Sequence, residues 1–322
     1  MHTSRIKFLF VAAALLLAAL PALAGPVIFT VKDPRGDDHG DGNFVYPLDS
    51  ELNEGDLDLV TFAARAERDG TTFELTFAKP VKVPGPEPID DLGTRLDSVA
   101  RFGFYQINVD VYIDKDRVAG SGGLETLPGR HAEIDPAHAW ERAVILTPRP
   151  HEARGELKRM LLRSLNQEAK KEDGDLTEAQ IAALRAQIPG DVEERIHFPH
   201  QIKVRGHKIT FFVPNSFLGG PAQADWSYVV AVSGANLLQS FDLRRLLGRS
   251  SEQALMILPV SPGTWHDRFG GGRENAAIQP PLVDILAPAD RRQETILADF
   301  DAKARRPVVL PGIIPAEMMG KK

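Results

Sequence analysis

The run from Phe104 to Asp114 constrains the fold most. Tyr105, Ile107, Val109, Val111 and Ile113 alternate with Gln106, Asn108, Asp110, Tyr112 and Asp114. A period of two places each set on its own face of a strand, one apolar and one mostly polar. Other runs follow the same logic. Leu59 to Ala66 and Thr72 to Phe77 flank Arg68-Asp69-Gly70, where Asp-Gly supplies the positive φ values of a tight hairpin turn. Ile202, Val204, Ile209, Phe211 and Val213 alternate around Arg205-Gly206. Further strands are expected over Ala143 to Leu146, Tyr228 to Val232, Leu255 to Leu258, Val283 to Leu286 and Val308 to Leu310. Many short strands separated by Gly, Pro and Asp clusters predict a mainly β chain, a β-sandwich.

One stretch departs from that pattern. Between Glu152 and Lys171, Leu157, Met160, Leu161 and Leu165 recur at helical spacing among charged residues, which gives a helix with one apolar face. A second helix follows, with a capping box at Thr177 and Gln180, a hydrophobic staple from Leu176 to Ile181, and a stop at Pro189-Gly190. The pair reads as a helical hairpin, residues 152–188, inserted between strands to cover one end of the sandwich.

The N-terminus has the layout of a cleaved export signal. Arg5 and Lys7 precede an apolar run from Phe8 to Leu20, and Ala22-Leu23-Ala24 offers a small-x-small cleavage site. Residues 1–24 are therefore expected to be a signal peptide and 25–322 a single β-sandwich domain, exported to the periplasm or secreted. No second long apolar run follows, so no membrane span is expected after cleavage. Removing Arg5 and Lys7 takes the net charge from −6 to −8. An acidic chain is a poor nucleic-acid binder, because such binding depends on neutralising phosphates with basic side chains. With 0 Cys, disulfides, thiolate zinc sites, iron–sulfur clusters and cysteine nucleophiles are excluded.

The segment Asp33-Pro34-Arg35-Gly36-Asp37-Asp38-His39-Gly40-Asp41-Gly42-Asn43 is the richest in chemistry. Aspartates interleaved with glycines put several carboxylates on a backbone able to wrap a hard cation, which needs six to eight oxygen ligands. Asp56 and Asp58 follow, and nine acidic residues lie between Asp33 and Asp58 against one basic residue, Arg35. Their repulsion in a folded loop calls for a cation, calcium being the economical one, or for a fully solvated turn. No EF-hand spacing is present. Asp173-Gly174-Asp175 reads as a helix-capping turn. His197 and His200, with Pro199 between them, read as strand-edge histidines, and Gly270-Gly271-Gly272-Arg273 as a mobile loop.

Of the three Trp, Trp140 and Trp226 adjoin apolar strands and read as core or rim residues. Trp265 lies in a Gly-flanked loop where an exposed ring could stack on a sugar face, with Asp267, Arg268 and Arg273 supplying directional hydrogen bonds.

The Asp33 to Asn43 segment continues as Phe44-Val45-Tyr46-Pro47, then Gly55-Asp56-Leu57-Asp58-Leu59. This resembles the opening of the C-terminal binding module of glucodextranase. Later stretches are similar in the same order: Val111-Tyr112-Ile113-Asp114, Leu127-Pro128-Gly129-Arg130, Phe269-Gly270-Gly271-Gly272, and Val283-Asp284-Ile285-Leu286 with Gln293 beyond. The resemblance implies a β-sandwich similar to carbohydrate-binding modules, a noncatalytic part that engages polysaccharide, α-glucan foremost, or a cell-envelope glycan. It also implies calcium, with Asp33, Asp37, Asp38, Asp41, Asp56, Asp58 and Asp114 as candidate ligands. Two other functions stay open from the residues alone: a hydrolase acting on polysaccharide, and an envelope scaffold contacting protein partners through its helical hairpin.

Overall fold

The computed structural model describes residues 25–48, 51–90, 92–169, 177–235, 237, 255, 257–274 and 276–320. The expected signal peptide, the Asp173-Gly174-Asp175 turn and Leu176 of the expected staple lie outside them. The described strands are, in chain order, β1 (Val27–Lys32), β2 (Leu59–Ala66), β3 (Gly70–Phe77), β4 (Ile107–Asp114), β5 (Ala132–Ile134), β6 (Arg142–Leu146), β7 (Ile196–His197), β8 (Ile202–Arg205), β9 (Lys208–Pro214), β10 (Ser227–Gly234), β11 (Asp284–Ile285) and β12 (Val308–Leu310). They build one sheet in the order β1-β2-β3-β9-β8, a second in the order β11-β10-β4-β6-β7, and a parallel pair, β12-β5.

The two large sheets face each other as a β-sandwich. Phe29, Phe62, Phe73, Leu75, Ile209 and Phe211 from the first meet Val109, Val111, Ile113, Tyr228 and Val230 from the second in one buried cluster. A row of rings crosses the first sheet: Phe29–Phe62 at 5.4 Å, Phe62–Phe73 at 5.7 Å and Phe73–Phe211 at 5.6 Å between centroids. Tyr228 reaches over from the second sheet to within 5.0 Å of Phe29. Each buried ring of this kind contributes about 1.5–3 kcal/mol through removal from water.

The alternation in β4 was expected to separate an apolar face from a polar one, and it does. The polar face, however, is buried along the whole strand. Tyr112 joins Trp140, Leu157, Val192, Phe198, Val308 and Leu310 in a second apolar cluster on the far side of the sheet; Tyr105, expected on the face of Ile107, precedes β4 and packs in that far cluster instead. The second sheet is thus the middle of three layers. Asp110 survives there because Arg130, itself buried, donates to both of its oxygens at 2.6 and 2.9 Å, and Tyr112 adds a hydroxyl at 3.1 Å.

The outer layer includes the helical hairpin, α1 (Pro150–Glu168) and α2 (Glu178–Arg195). Ala153 and Leu157, one turn apart, are buried in the second cluster, with Met160 and Leu161 packed against it. The capping box forms: Thr177 Oγ1 accepts from Gln180 N at 3.3 Å and Gln180 Oε1 accepts from Thr177 N at 2.8 Å. The expected stop at Pro189-Gly190 does not occur, and α2 runs on to Arg195. A proline removes one helical hydrogen bond and costs about 3 kcal/mol. The turn beyond it is held by buried Val192, by the Glu193–Lys158 pair at 2.7 Å and by Arg195, whose guanidinium lies 4.4 Å over the Trp140 ring.

Two other expectations change. The β2-β3 turn closes through Glu67 N to Gly70 O at 2.8 Å, with neither Asp69 nor Gly70 at positive φ. Gly70 is required for a different reason: a Cβ there would lie 2.4 Å from the Phe212 ring and from Val213 O. The run Leu255 to Leu258 contributes the isolated bridge Ala235–Ile257 rather than a described strand. Among the described residues, no helix is long and apolar enough to cross a membrane.

Candidate metal centre and ligand face

β1 ends at Lys32, yet Asp33 N still donates to Val60 O at 3.0 Å, so the next residue leaves the sheet from a fixed point. The loop then folds over the start of β11, with Gly40 N donating to Val283 O at 2.8 Å. Gly40 sits at φ 58°, where a Cβ would meet the Phe44 ring at 2.6 Å. This path brings Asp33 and Asp37 to Asp284 of β11, with one carboxylate oxygen from each lying within 4.8 Å of the others. Asp58 joins from the turn before β2, its Oδ2 accepting from Gly36 N at 2.7 Å.

The group is buried and short of donors. Asp33 and Asp284 are 7% and 0% exposed, and, apart from a proton that Asp284 can share with Asp33, no donor reaches either oxygen of Asp33 or one oxygen each of Asp37, Asp38, Asp58 and Asp284. Burial pushes the Asp33 carboxyl up to about 8, helped by the charge of Asp37. Burial also raises Asp37 to about 6, and it pushes Asp284 well above the carboxylate range with Asp33 and Asp37 adding to the effect. Asp58 is raised for the same first reason. Orphaned carboxylate oxygens in a dry site are costly unless protons or a cation satisfy them. A cleft of about 640 Å³ that Asp33 and Asp37 help to line gives access.

The other expected ligands have different duties. Asp38 Oδ2 accepts from Gly55 N at 2.7 Å and from the Tyr46 hydroxyl. Asp41 holds its own turn through Asn43 N at 3.2 Å and takes Gln279 Nε2 at 3.1 Å. Asp56 pairs with Lys82 at 2.8 Å and accepts from Asn53 N. Asp114 lies in a second acidic group, with Asp116 and Glu141. The histidines beyond the loop, His197 and His207, make other contacts. His197 packs on Phe217 with ring centroids 5.1 Å apart, and burial pulls it down to about 4; His207 Nδ1 lies 3.2 Å from Phe77 O.

Asp284 was not among the expected ligands. Its signal was an aspartate inside an apolar run, Leu282-Val283-Asp284-Ile285-Leu286. Gln293 was also without an expected role. Its Oε1 accepts from Ile285 N at 2.7 Å, while its Nε2 donates to Val283 O at 3.2 Å and to Asp37 O, clamping the acidic loop to β11.

The loop leads directly into an exposed face. Val45 and Gly270 exchange backbone hydrogen bonds at 3.0 and 2.9 Å, and Leu48 N donates to Trp265 O at 3.0 Å. Trp265 is 61% exposed, beside exposed Val45 and Leu48. Asp267 and Arg268 form a two-point pair at 2.9 and 2.8 Å. Arg273 sits elsewhere, 4.4 Å over the Phe300 ring and 3.8 Å from Asp41. The glycine run expected to be a mobile loop is pinned: Gly271, at φ 79°, passes so close to Asn43 that a Cβ would overlap its carbonyl oxygen. Phe269 stacks on Phe44 at 5.9 Å and meets Tyr46 edge-on at 5.3 Å.

Arranged this way, the segments that the sequence resemblance singled out have structural work: the Asp33 loop and Val283–Leu286 assemble the acidic centre, and Arg130 secures the middle layer. The family described as the C-terminal binding-module, SLH-like, of glucodextranase matches residues 28–312. The chain belongs to that family. No curated protein matches it. As a glucodextranase-type binding module, it carries the helical hairpin within the matched span rather than appended to it.

Proposed function

We propose that this chain is an exported, noncatalytic glycan-binding module whose ligand face is ordered by calcium. Membership of a binding-module family supports the noncatalytic role. The observation that carries the calcium reading is the set of buried carboxylate oxygens without donors at Asp33, Asp37, Asp58 and Asp284, a hard-oxygen donor set suited to calcium. Those four residues would hold the ion, and Asp38, whose second oxygen also lacks a donor, borders them. Calcium would supply the positive charge that lets the loop keep its carboxylates ionised while packed.

The link from ion to ligand runs through Asp38 to Tyr46, and through the Val45–Gly270 pairing to the Trp265 loop. The exposed Trp265 ring offers a flat apolar face to a pyranose, with Asp267 and Arg268 alongside for hydroxyl groups. An α-glucan is the first ligand we assign, and a cell-envelope glycan the second. Export to the periplasm or medium follows from the signal-like residues 1–24, and N-terminal sequencing of the mature protein checks it.

Affinity electrophoresis tests the whole reading. Retardation by a soluble α-glucan in the presence of calcium, weakened by chelator, is the expected result. Trp265→Ala should weaken binding by about 1–3 kcal/mol if the ring is a hot spot, with stability changed by no more than roughly 0.5 kcal/mol, as for other exposed positions. Absence of retention by α-glucan and by envelope polysaccharide would remove the glycan assignment.

A further inference from the structure

We propose that Asp114, Asp116 and Glu141 form a second divalent-cation site, separate from the Asp33 centre and independent of the glycan reading. One oxygen from each residue lies within 4.8 Å of the others. Three oxygens spread evenly around one calcium ion at about 2.3–2.6 Å are at most about 4.5 Å apart, so these three can share an ion after shifts of no more than a few tenths of an ångström.

The pointer to a ligand is Asp114. It is 1% exposed at the end of β4, and its Oδ2 has neither a donor nor water access. Its Oδ1 takes Arg117 N at 2.6 Å, which accounts for one oxygen and leaves the other. The neighbours are held in place by the backbone and by Ser121: Lys115 N donates to Glu141 Oε2 at 2.7 Å, Val118 N to Asp116 Oδ1 at 2.8 Å, and the Ser121 hydroxyl lies 3.0 Å from Asp116 Oδ1 and 3.4 Å from Glu141 Oε1. Burial raises both Asp114 and Glu141, and the neighbouring carboxylates push in the same direction.

The basic side chains nearby make their close contacts elsewhere, although the Arg117 charge lowers Asp114 and Lys115 feels Glu141 and Asp116. The Lys115 ammonium lies 5.5 Å over the Trp226 ring, Arg117 pairs with Glu317 at 3.5 Å, and Arg142 pairs with Glu194 at 3.7 Å. Among the described residues, no Lys or Arg forms an ion pair with any of the three acids. A hard cation would supply at contact distance the charge that Arg117 and Lys115 lend only without a direct pair. The strand register keeps the two centres apart. Val232 pairs with Asp284 on one side and with Val109 on the other, and Asp114 lies five residues further along β4, roughly 17 Å at strand spacing.

Equilibrium dialysis with calcium decides the matter. The wild type should bind two equivalents, Asp116→Asn/Glu141→Gln one, and Asp33→Asn/Asp284→Asn one. A wild type that binds no calcium, or an Asp116→Asn/Glu141→Gln variant that keeps every equivalent, overturns the proposal. A single wild-type equivalent lost only in that variant upholds it and instead refutes the Asp33 centre. Should the double variant misfold by circular dichroism, Asp116→Asn alone serves, since Asp116 is exposed. At least a tenfold weakening of one of two sites is then expected, and unchanged affinity at both overturns the proposal.

Discussion

Asp110 and the Asp33–Asp284 group are both buried carboxylates, and they solve the problem in opposite ways. At Asp110 the charge is closed off: Arg130 donates two hydrogen bonds, Tyr112 a third, and all three side chains are within 3% of full burial. At Asp33 and Asp284 the charges face one another, and among the described residues no Lys or Arg pairs with either, so oxygens are left without donors. The first arrangement completes a core from within the chain. The second is complete only with protons or an ion from outside, so it makes stability depend on the solution.

The largest expected effect comes from breaking the closed site. Arg130→Met should lower stability by about 3–5 kcal/mol, because Asp110 is left charged and dry. Urea denaturation checks it. Replacing both partners, with Asp110→Leu added, should recover most of the loss, since a buried pair exchanged for apolar groups of similar volume is often close to neutral. If the double variant is as unstable as the single one, Arg130 acts by packing rather than by pairing.

The contrast also explains what could be read from the residues. The period of two in β4, the hairpins, the capping box and the acidic loop were visible because each is local. The fate of the polar face of β4 was not local. Asp110 looks the same in sequence whether water or Arg130 satisfies it, and Arg130 lies 20 residues away. Asp284 was hidden for the same reason, being 247 residues beyond Asp37 yet beside it in space. Backbone propensity alone places a helix stop at Pro189. The buried Val192 and the Arg195 stacking that hold the last turn are tertiary contacts. Gly70 kept its importance but changed its reason, from turn geometry to a close approach of β9.

The next effect sharpens the open site. Calcium at about a hundredfold over its Kd should stabilise by about 2.7 kcal/mol, or roughly 4 °C in Tm for a domain of this size. The pH dependence has a definite sign. An unfolded Asp33 ionises near 3.8, whereas the folded one holds its proton to about 8. Between these values the native state carries a proton that the unfolded state has released, so in chelator stability falls as pH rises from about 4 to about 8. Calcium replaces that proton and flattens the curve. The calcium-induced shift should therefore be absent near pH 4 and widen towards pH 8. A shift independent of pH would mean that the ion binds away from these acids.

The smallest effect carries the clearest sign. Asp37 is raised to about 6 by burial first, with Asp58, Glu294 and Asp38 adding repulsion, while its own backbone hydrogen bonding acts the other way. At neutral pH and without calcium it is ionised in a fold that disfavours its charge. Asp37→Asn keeps the shape and removes that charge, so in chelator the variant should melt slightly higher than wild type, by no more than about 1 kcal/mol, as expected for a half-exposed group. In calcium the order should reverse, because the substitution deletes a ligand. The same substitution at the closed site has no such crossover, since Asp110 gains nothing from added ions. Thermal scans of both variants, with and without calcium, test this directly. If Asp37→Asn melts lower under both conditions, the carboxylate braces the loop rather than serving a cation.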